Sequence, residues 1–228
     1  MKREELMRLL QDVGLSRDKI YHCDLVADIA LAIGERVRRA GHSINLETVE
    51  QGAMLHDIGI CATWDDASPI HATVGADMVR KLGFSEEVAR CIESHELLGL
   101  PKDEAQALGM PIYRDTFVPQ NWEEKVVMFA DHVALAWGEC ERDLWADPLC
   151  IAKANYPYLQ VVFARWAKIT ITPEHPCNQR GVEVYKEMMP FLEKKDLERL
   201  EEKAVLMRHA QTEAGIKLPF AYAENLVL

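Results

Sequence analysis

Gly52-Ala-Met-Leu-His-Asp-Ile-Gly-Ile60 is the stretch on which the reading of this chain turns. It sets an imidazole and a carboxylate, His56 and Asp57, side by side within an otherwise apolar run. Neighbouring side chains diverge by about 100° around an α-helix, so the two can serve one ion only from the helix's inner face or from its end. Upstream, Asn45 is a suitable N-cap for a helix that continues through Val49 and Ala53 to His56 and stops near Gly59.

Outward from this stretch, apolar positions keep recurring at helical spacing. A short amphipathic helix over residues 3 to 13 carries Leu6, Leu9, Leu10 and Val13, and a longer one, capped by Ser16 or Asp18, carries His22, Val26, Ile29, Ile33 and Val37 on a single stripe. His71 opens a helix with Val74, Met78 and Leu82 that terminates at Gly83. Ser85 caps the next, with Glu86 and Glu87 at its positive end and Val88, Ile92 and His95 on its inner stripe. Residues 97 to 121, broken by Gly99, Pro101, Gly109, Pro111 and Pro119, read as a long loop of the kind that commonly serves as a lid. The helix beyond it aligns Val127, Asp131 and Ala134. No run alternates as a strand does, so the expected fold is all-α.

Prolines at 148, 157, 173 and 176 change the texture from about residue 141, and a charged helix around residues 190 to 213 follows, with Leu192, Leu197, Leu200, Ala204 and Met207 as its apolar positions. The expected organisation is a domain over 1–140 and a C-terminal helical extension over 141–228, packed on the first domain or against a second subunit. With 228 residues, 49% of them hydrophobic, the chain can bury a sizeable core. A formal net charge of -11 argues against binding a nucleic acid polymer, which needs clustered Lys and Arg. The charged N-terminus lacks the apolar core of a secretory signal, and no apolar run approaches a membrane span, so the expectation is a cytoplasmic protein with no membrane partner. Its six cysteines form no C-x-x-C pair, which suits reduced core thiols better than structural zinc.

His22, His71, His95 and Asp131 join His56 and Asp57 as six inward-pointing nitrogen and oxygen donors, enough for two metal ions. A single histidine on an apolar face is ordinarily a hydrogen-bonded core residue, and His22 or His95 alone would prove little. Asp131 and Asp57 are different, because a buried ionised carboxylate is costly unless a cation or hydrogen-bond donors compensate it. A metal cluster satisfies both carboxylates and gives the neutral imidazoles a partner.

The arrangement of His22, then His56-Asp57-Ile58-Gly59, then Asp131 resembles the HD superfamily of metal-dependent phosphohydrolases, and Leu55-His-Asp-Ile-Gly59 resembles its HDIG subgroup. His71-Ala-Thr-Val-Gly-Ala76 and Ser94-His95-Glu96 resemble the histidine elements of its two-metal branch, and the likeness covers roughly residues 16 to 140, closest to an uncharacterised archaeal and bacterial HDIG group. The resemblance implies an HD-domain helical bundle in which His22, His56, Asp57 and Asp131 hold one divalent ion while Asp57 bridges to a second held by His71 and His95. It also implies hydrolysis of a small phosphorylated metabolite or nucleotide by a water that the two ions activate, with Asp57 the catalytic residue. The ions would be Fe, Mn, Co, Ni or Zn. Ile60 departs from the lysine that many two-metal relatives carry after HDIG, and the GYP element of the cyclic-dinucleotide phosphodiesterases is absent.

Arg114 in the long loop, with Arg80 and Lys81 after His71, are the expected substrate-binding cations; Arg180 is a further basic residue in the extension. Glu96 either orients its neighbour or faces solvent, His132 is either behind the site or at the surface, and Trp64, Asp65 and Asp66 lie between the two half-sites. Two other readings stand beside hydrolysis: a dinuclear iron oxygenase, and a non-catalytic sensor that binds a nucleotide at the metal site. An acidic surface with an apolar face on the last helix permits a homodimer without requiring one.

Overall fold

The computed structural model describes residues 1–63, 68, 70–110, 117–136 and 148–213. Within them the chain is helical throughout and contains no strand, so the all-α expectation holds. A short helix α1 (Arg3–Asp12) leads into α2 (Arg17–Arg39), followed by α3 (Leu46–Leu55), a single turn α4 (Ile60–Thr63), α5 (His71–Lys81) and α6 (Glu86–Ser94). After these come α7 (Lys102–Ala107), α8 (Trp122–Ala136), α9 (Pro148–Val162), α10 (Pro176–Met188), α11 (Lys194–Arg199) and α12 (Glu201–Glu213).

Local chemistry sets several of these boundaries. Asn45 Oδ1 accepts from the backbone N–H groups of Glu47 and Thr48 at 3.0 and 3.3 Å, satisfying two orphan donors at the start of α3. Ser85 does the same for Val88 at the head of α6, with Glu86 and Glu87 against the positive end of its dipole. Helix α2 ends on Arg36, Arg38 and Arg39, and Gly41 takes the left-handed conformation (φ 95°) that turns the chain away.

Helix α2 is the central element: it packs against α3 and α8, with α12 and α1 along its flanks. Its fully buried stripe of Val26, Ile29, Ile33 and Val37 continues the face that carries His22. Helices α5 and α6 form a hairpin whose second member packs on α3 and α8. At the far side, Arg3 binds Asp24 and Asp28 at 2.8 and 2.5 Å, and Lys203 joins the same two carboxylates, tying α1 and α12 to α2.

The His56-Asp57-Ile58-Gly59 segment is where the sequence expectation needed refinement. Helix α3 ends at Leu55 rather than near Gly59, and the chain tightens into turns in which Ile58 N–H donates to Leu55 O and Ile60 N–H to Asp57 O, both at 3.0 Å. The cause is Gly59. A Cβ built there would lie 2.0 Å from the His71 carbonyl oxygen and 2.6 Å from Gly75 N, so the turn is pressed directly onto the backbone of α5. Gly59→Ala is therefore expected to cost about 3 kcal/mol or more, since a backbone clash cannot be relieved by rotating a side chain. A thermal melt checks this: at roughly 2–4 °C per kcal/mol for a chain of this size, the midpoint should drop by at least about 6 °C, and an unchanged midpoint would contradict the packing.

The C-terminal part also departs in detail from expectation. The single helix expected over residues 190 to 213 is divided into α11 and α12 around Leu200, and the segment 97–121, expected as loop, contains α7. Helices α9 and α10 pack on each other and on α8. Their Leu159, Val162, Cys177 and Tyr185, with Phe163 just beyond α9, belong to the same apolar core as α2 and α3.

Candidate metal centre

Five separate segments deliver the six donors to one place. His22 comes from the second turn of α2, His56 and Asp57 from the end of α3, His71 from the first residue of α5, His95 from the end of α6 and Asp131 from the middle of α8. All six are buried. Their ligand atoms fall into three overlapping triads, His22-His56-Asp57, His56-His95-Asp131 and Asp57-His71-His95, in each of which the atoms lie within 4.8 Å of one another.

Distances divide the cluster into two halves that share Asp57. On one side, His22 Nε2 stands 2.8 Å and His56 Nε2 3.5 Å from Asp131 Oδ1, while Asp57 Oδ2 lies 3.7 Å from His56 Nε2 and 4.0 Å from His22 Nε2. On the other, His71 and His95 Nε2 are 3.2 Å apart, and Asp57 Oδ1 is 3.6 and 3.9 Å from them. Two ligands each about 2.1 Å from a common ion are themselves about 3–4 Å apart, the spacing seen in both halves.

Hydrogen bonding fixes what these imidazoles can do. Nδ1 of His56 meets the carbonyl oxygen of Ala53 at 2.7 Å, that of His71 meets Ser68 O at 2.8 Å, and that of His95 meets Ile92 O at 2.6 Å. A carbonyl only accepts, so all three Nδ1 atoms carry a hydrogen, and in the neutral ring the lone pair is left on Nε2. These Nε2 atoms face inward. His56 and His22 approach through Nε2 at 3.2 Å, as do His71 and His95. Facing lone pairs at that range repel unless a proton or a cation sits between them. The residues therefore fit a divalent metal.

Charge in the cluster shows the same demand. Burial would push the Asp57 and Asp131 carboxyls up, but their neighbours outweigh it: Lys19, His56, His22 and His71 hold Asp57 far below the usual carboxylate range, and His22 and His56 do so for Asp131. Burial likewise opposes a charge on His56, yet Asp57, Cys23 and Asp131 together raise it well above an ordinary histidine. His95 moves the other way, to about 3, through burial and the neighbouring imidazoles of His56 and His71. His56 thus retains a proton more readily than an ordinary histidine, and His95 less readily.

Several neighbours were not legible beforehand. Lys19 precedes His22 by three residues and so shares its face of α2; its Nζ lies 3.3 Å from Asp57 Oδ2. Glu96 is buried instead of facing solvent: Oε1 accepts from Tyr158 Oη at 2.9 Å and sits 3.7 Å from His71 Nε2, and Oε2 has no partner among the described residues. His132 is also buried, with Nδ1 paired to Tyr185 Oη at 2.8 Å. Arg80, expected to bind substrate, places its guanidinium on Glu86 and Glu93 at 2.6–2.8 Å and on Asp77 at 3.3 Å, where it clamps α5 to α6; Lys81 is exposed at the end of α5. Arg180 pairs with Glu104 at 2.8 Å. Arg114, Trp64, Asp65 and Asp66 lie outside the described residues.

A helical bundle carrying a His-Asp pair at a helix end, with further histidines and an aspartate from neighbouring helices, agrees with the comparison to known families: the HD domain model matches residues 20–136, and the chain belongs to that family. It is 32% identical over 143 residues to an uncharacterized protein of Methanocaldococcus jannaschii, covering 63% of this chain and 81% of that one. It is also 37% identical over 125 residues to a tRNA (cytidine(56)-2'-O)-methyltransferase of Thermoplasma volcanium, covering 55% of this chain and 34% of that protein. A ribonuclease Y of Salinispora arenicola is 34% identical over 90 residues, 40% of this chain and 14% of the other. The chain thus spans most of the first relative and a minor part of the other two. No helix of the described residues is long and apolar enough to cross a membrane.

Proposed function

We propose that the protein is a two-metal phosphohydrolase that cleaves a small phosphate ester or phosphodiester, such as a nucleotide. The observation that carries this reading is the division of Asp57, with Oδ2 toward His22 and His56 and Oδ1 toward His71 and His95, which suits a carboxylate bridging two ions. His22, His56, Asp57 and Asp131 would hold one ion, and Asp57, His71 and His95 the other. Divalent ions bound there would lower the pKa of a water toward neutrality and stabilise the negative charge that develops on a phosphoryl oxygen.

The chain's own groups then have separable tasks. The backbone-anchored histidines keep their lone pairs in register without reorganisation, which is the preorganisation an electrostatic site needs. Lys19 compensates Asp57 on the side where α2 begins, and its side chain, 19% exposed, reaches toward the surface, where it would meet an incoming phosphate. Relatives named ribonuclease Y support a phosphodiester among the substrates, whereas the net charge of -11 favours a small one over a polymer.

A panel of phosphomonoesters and phosphodiesters, each offered with Mn, Co, Ni, Fe or Zn, tests the reading. Phosphate or nucleotide release that depends on metal and proceeds without oxygen is the expected outcome. Turnover that consumes oxygen would replace it with iron oxygenase chemistry, and tight nucleotide binding without turnover would replace it with a sensor.

A further inference from the structure

Immediately after His95 and Glu96 the backbone does something costly. Leu97 and Leu98 both adopt the left-handed region, at φ 56° and 50°, and Gly99 follows at 73°. Two successive non-glycine residues in that region cost on the order of 1–3 kcal/mol each, and such strain persists only where the surroundings over-determine it. Both leucines are buried.

The surroundings that hold them come from helices α9 and α10, beyond residues 20–136. Cys177, in the first turn of α10, donates its thiol to the Leu97 carbonyl oxygen at 2.8 Å. One helical turn further, Gly181 leaves a notch for Leu98: a Cβ on Gly181 would meet Leu98 Cδ1 and Cδ2 at 2.9 Å and Cβ at 3.1 Å. From α9, Tyr158 donates to Glu96 Oε1 at 2.9 Å, and that oxygen in turn is 3.7 Å from His71 Nε2. Three contacts from residues 158, 177 and 181 thus converge on the four-residue turn that begins at His95.

We propose that Tyr158, Cys177 and Gly181 are positioning residues of the metal centre, holding the His95–Leu98 turn so that the half-site of His71 and His95 can take up its ion. This rests on the two-ion reading above and adds that one of the two ions depends on the C-terminal helices. His22, His56 and Asp131 are reached by none of the three contacts and touch the turn only through the looser triad of His56, His95 and Asp131, so the other ion should feel the smaller effect. The arrangement makes the extension a working part of the site.

Calorimetric titration of the full ion-free chain with Mn2+ alone, paired with thermal melts, tests the proposal. Wild type is expected to bind two ions. Gly181→Val, which expels Leu98 from its notch, and Tyr158→Phe, which removes only the hydroxyl, should each weaken one ion by about 10–100-fold, the range for outer partners of metal ligands, and leave the other within about twofold. His71→Ala should lose the same ion. Adding Leu98→Gly to Gly181→Val removes the clash and suits the positive φ, and it should restore the lost ion. Two ions bound with wild-type affinity in both single variants would overturn this inference alone, as would equal weakening of both ions, the pattern of general destabilisation. A wild-type chain that takes up a single ion would overturn this inference and the two-ion reading together.

Discussion

Asp57→Ala should empty both halves of the metal centre at once and lower metal-dependent phosphoester turnover by about 10^3-fold or more, equivalent to about 4 kcal/mol of transition-state stabilisation. The size follows from the placement of its two oxygens, one toward each histidine pair. Among the described residues Asp131 makes its near contacts to His22 and His56, and it meets His95 only within the looser triad that includes His56. Asp131→Asn should accordingly weaken one ion while Asp57→Ala weakens two. Elemental analysis of the purified variants separates the cases, and an Asp57→Ala protein that still carries two ions per chain would refute the bridging role. Lys19→Ala provides a contrast, since it removes a compensating cation and should leave both ions bound.

Metal loading should have the second large effect, on stability. An ion that binds the folded chain alone stabilises it by about 2.7 kcal/mol when present at about 100 times its dissociation constant. At roughly 2–4 °C per kcal/mol, each ion should then raise the melting midpoint by about 5–10 °C over chelator-treated protein. The gap should also widen with pH. His56 in the ion-free protein has a raised pKa, so its stabilising contribution is present at low pH and fades as pH rises through that value. Metal requires the neutral ring and gains affinity over the same interval. Melts of loaded and stripped protein from about pH 6.5, the ordinary histidine pKa, upward check the sign; a gap that narrows with pH would contradict it.

Most of the helical framework was legible because its signals are local. The caps at Asn45 and Ser85, the stripe from Val26 to Val37 and the stop at Gly83 each act within a turn or two of chain. The six donors were legible for a related reason: carboxylates and imidazoles on apolar stripes violate the burial rule, and the violation marks them. The neighbours were less visible. Glu96 was left open between the site and solvent because its partner, Tyr158, lies 62 residues away. Arg80 looked available to substrate because nothing local announces that Glu86 and Glu93 cross over to meet it. Lys19 sits on the stripe of His22, and a cation one turn from a ligand was the signal that would have found it.

The sequence by itself determined the helical class, the six residues that come together at one place and the kinship with HD proteins, since these depend on periodicity, residue chemistry and a short motif. Only the tertiary structure decided that His56 and Asp57 serve from a helix end, that Asp57 faces both histidine pairs, and that α9 and α10 hold the turn after His95. The physical reason is that these depend on separate segments being pressed together: Gly59 onto the backbone of α5, and Gly181 onto the side chain of Leu98. Such approaches leave no periodic trace in the residues that make them.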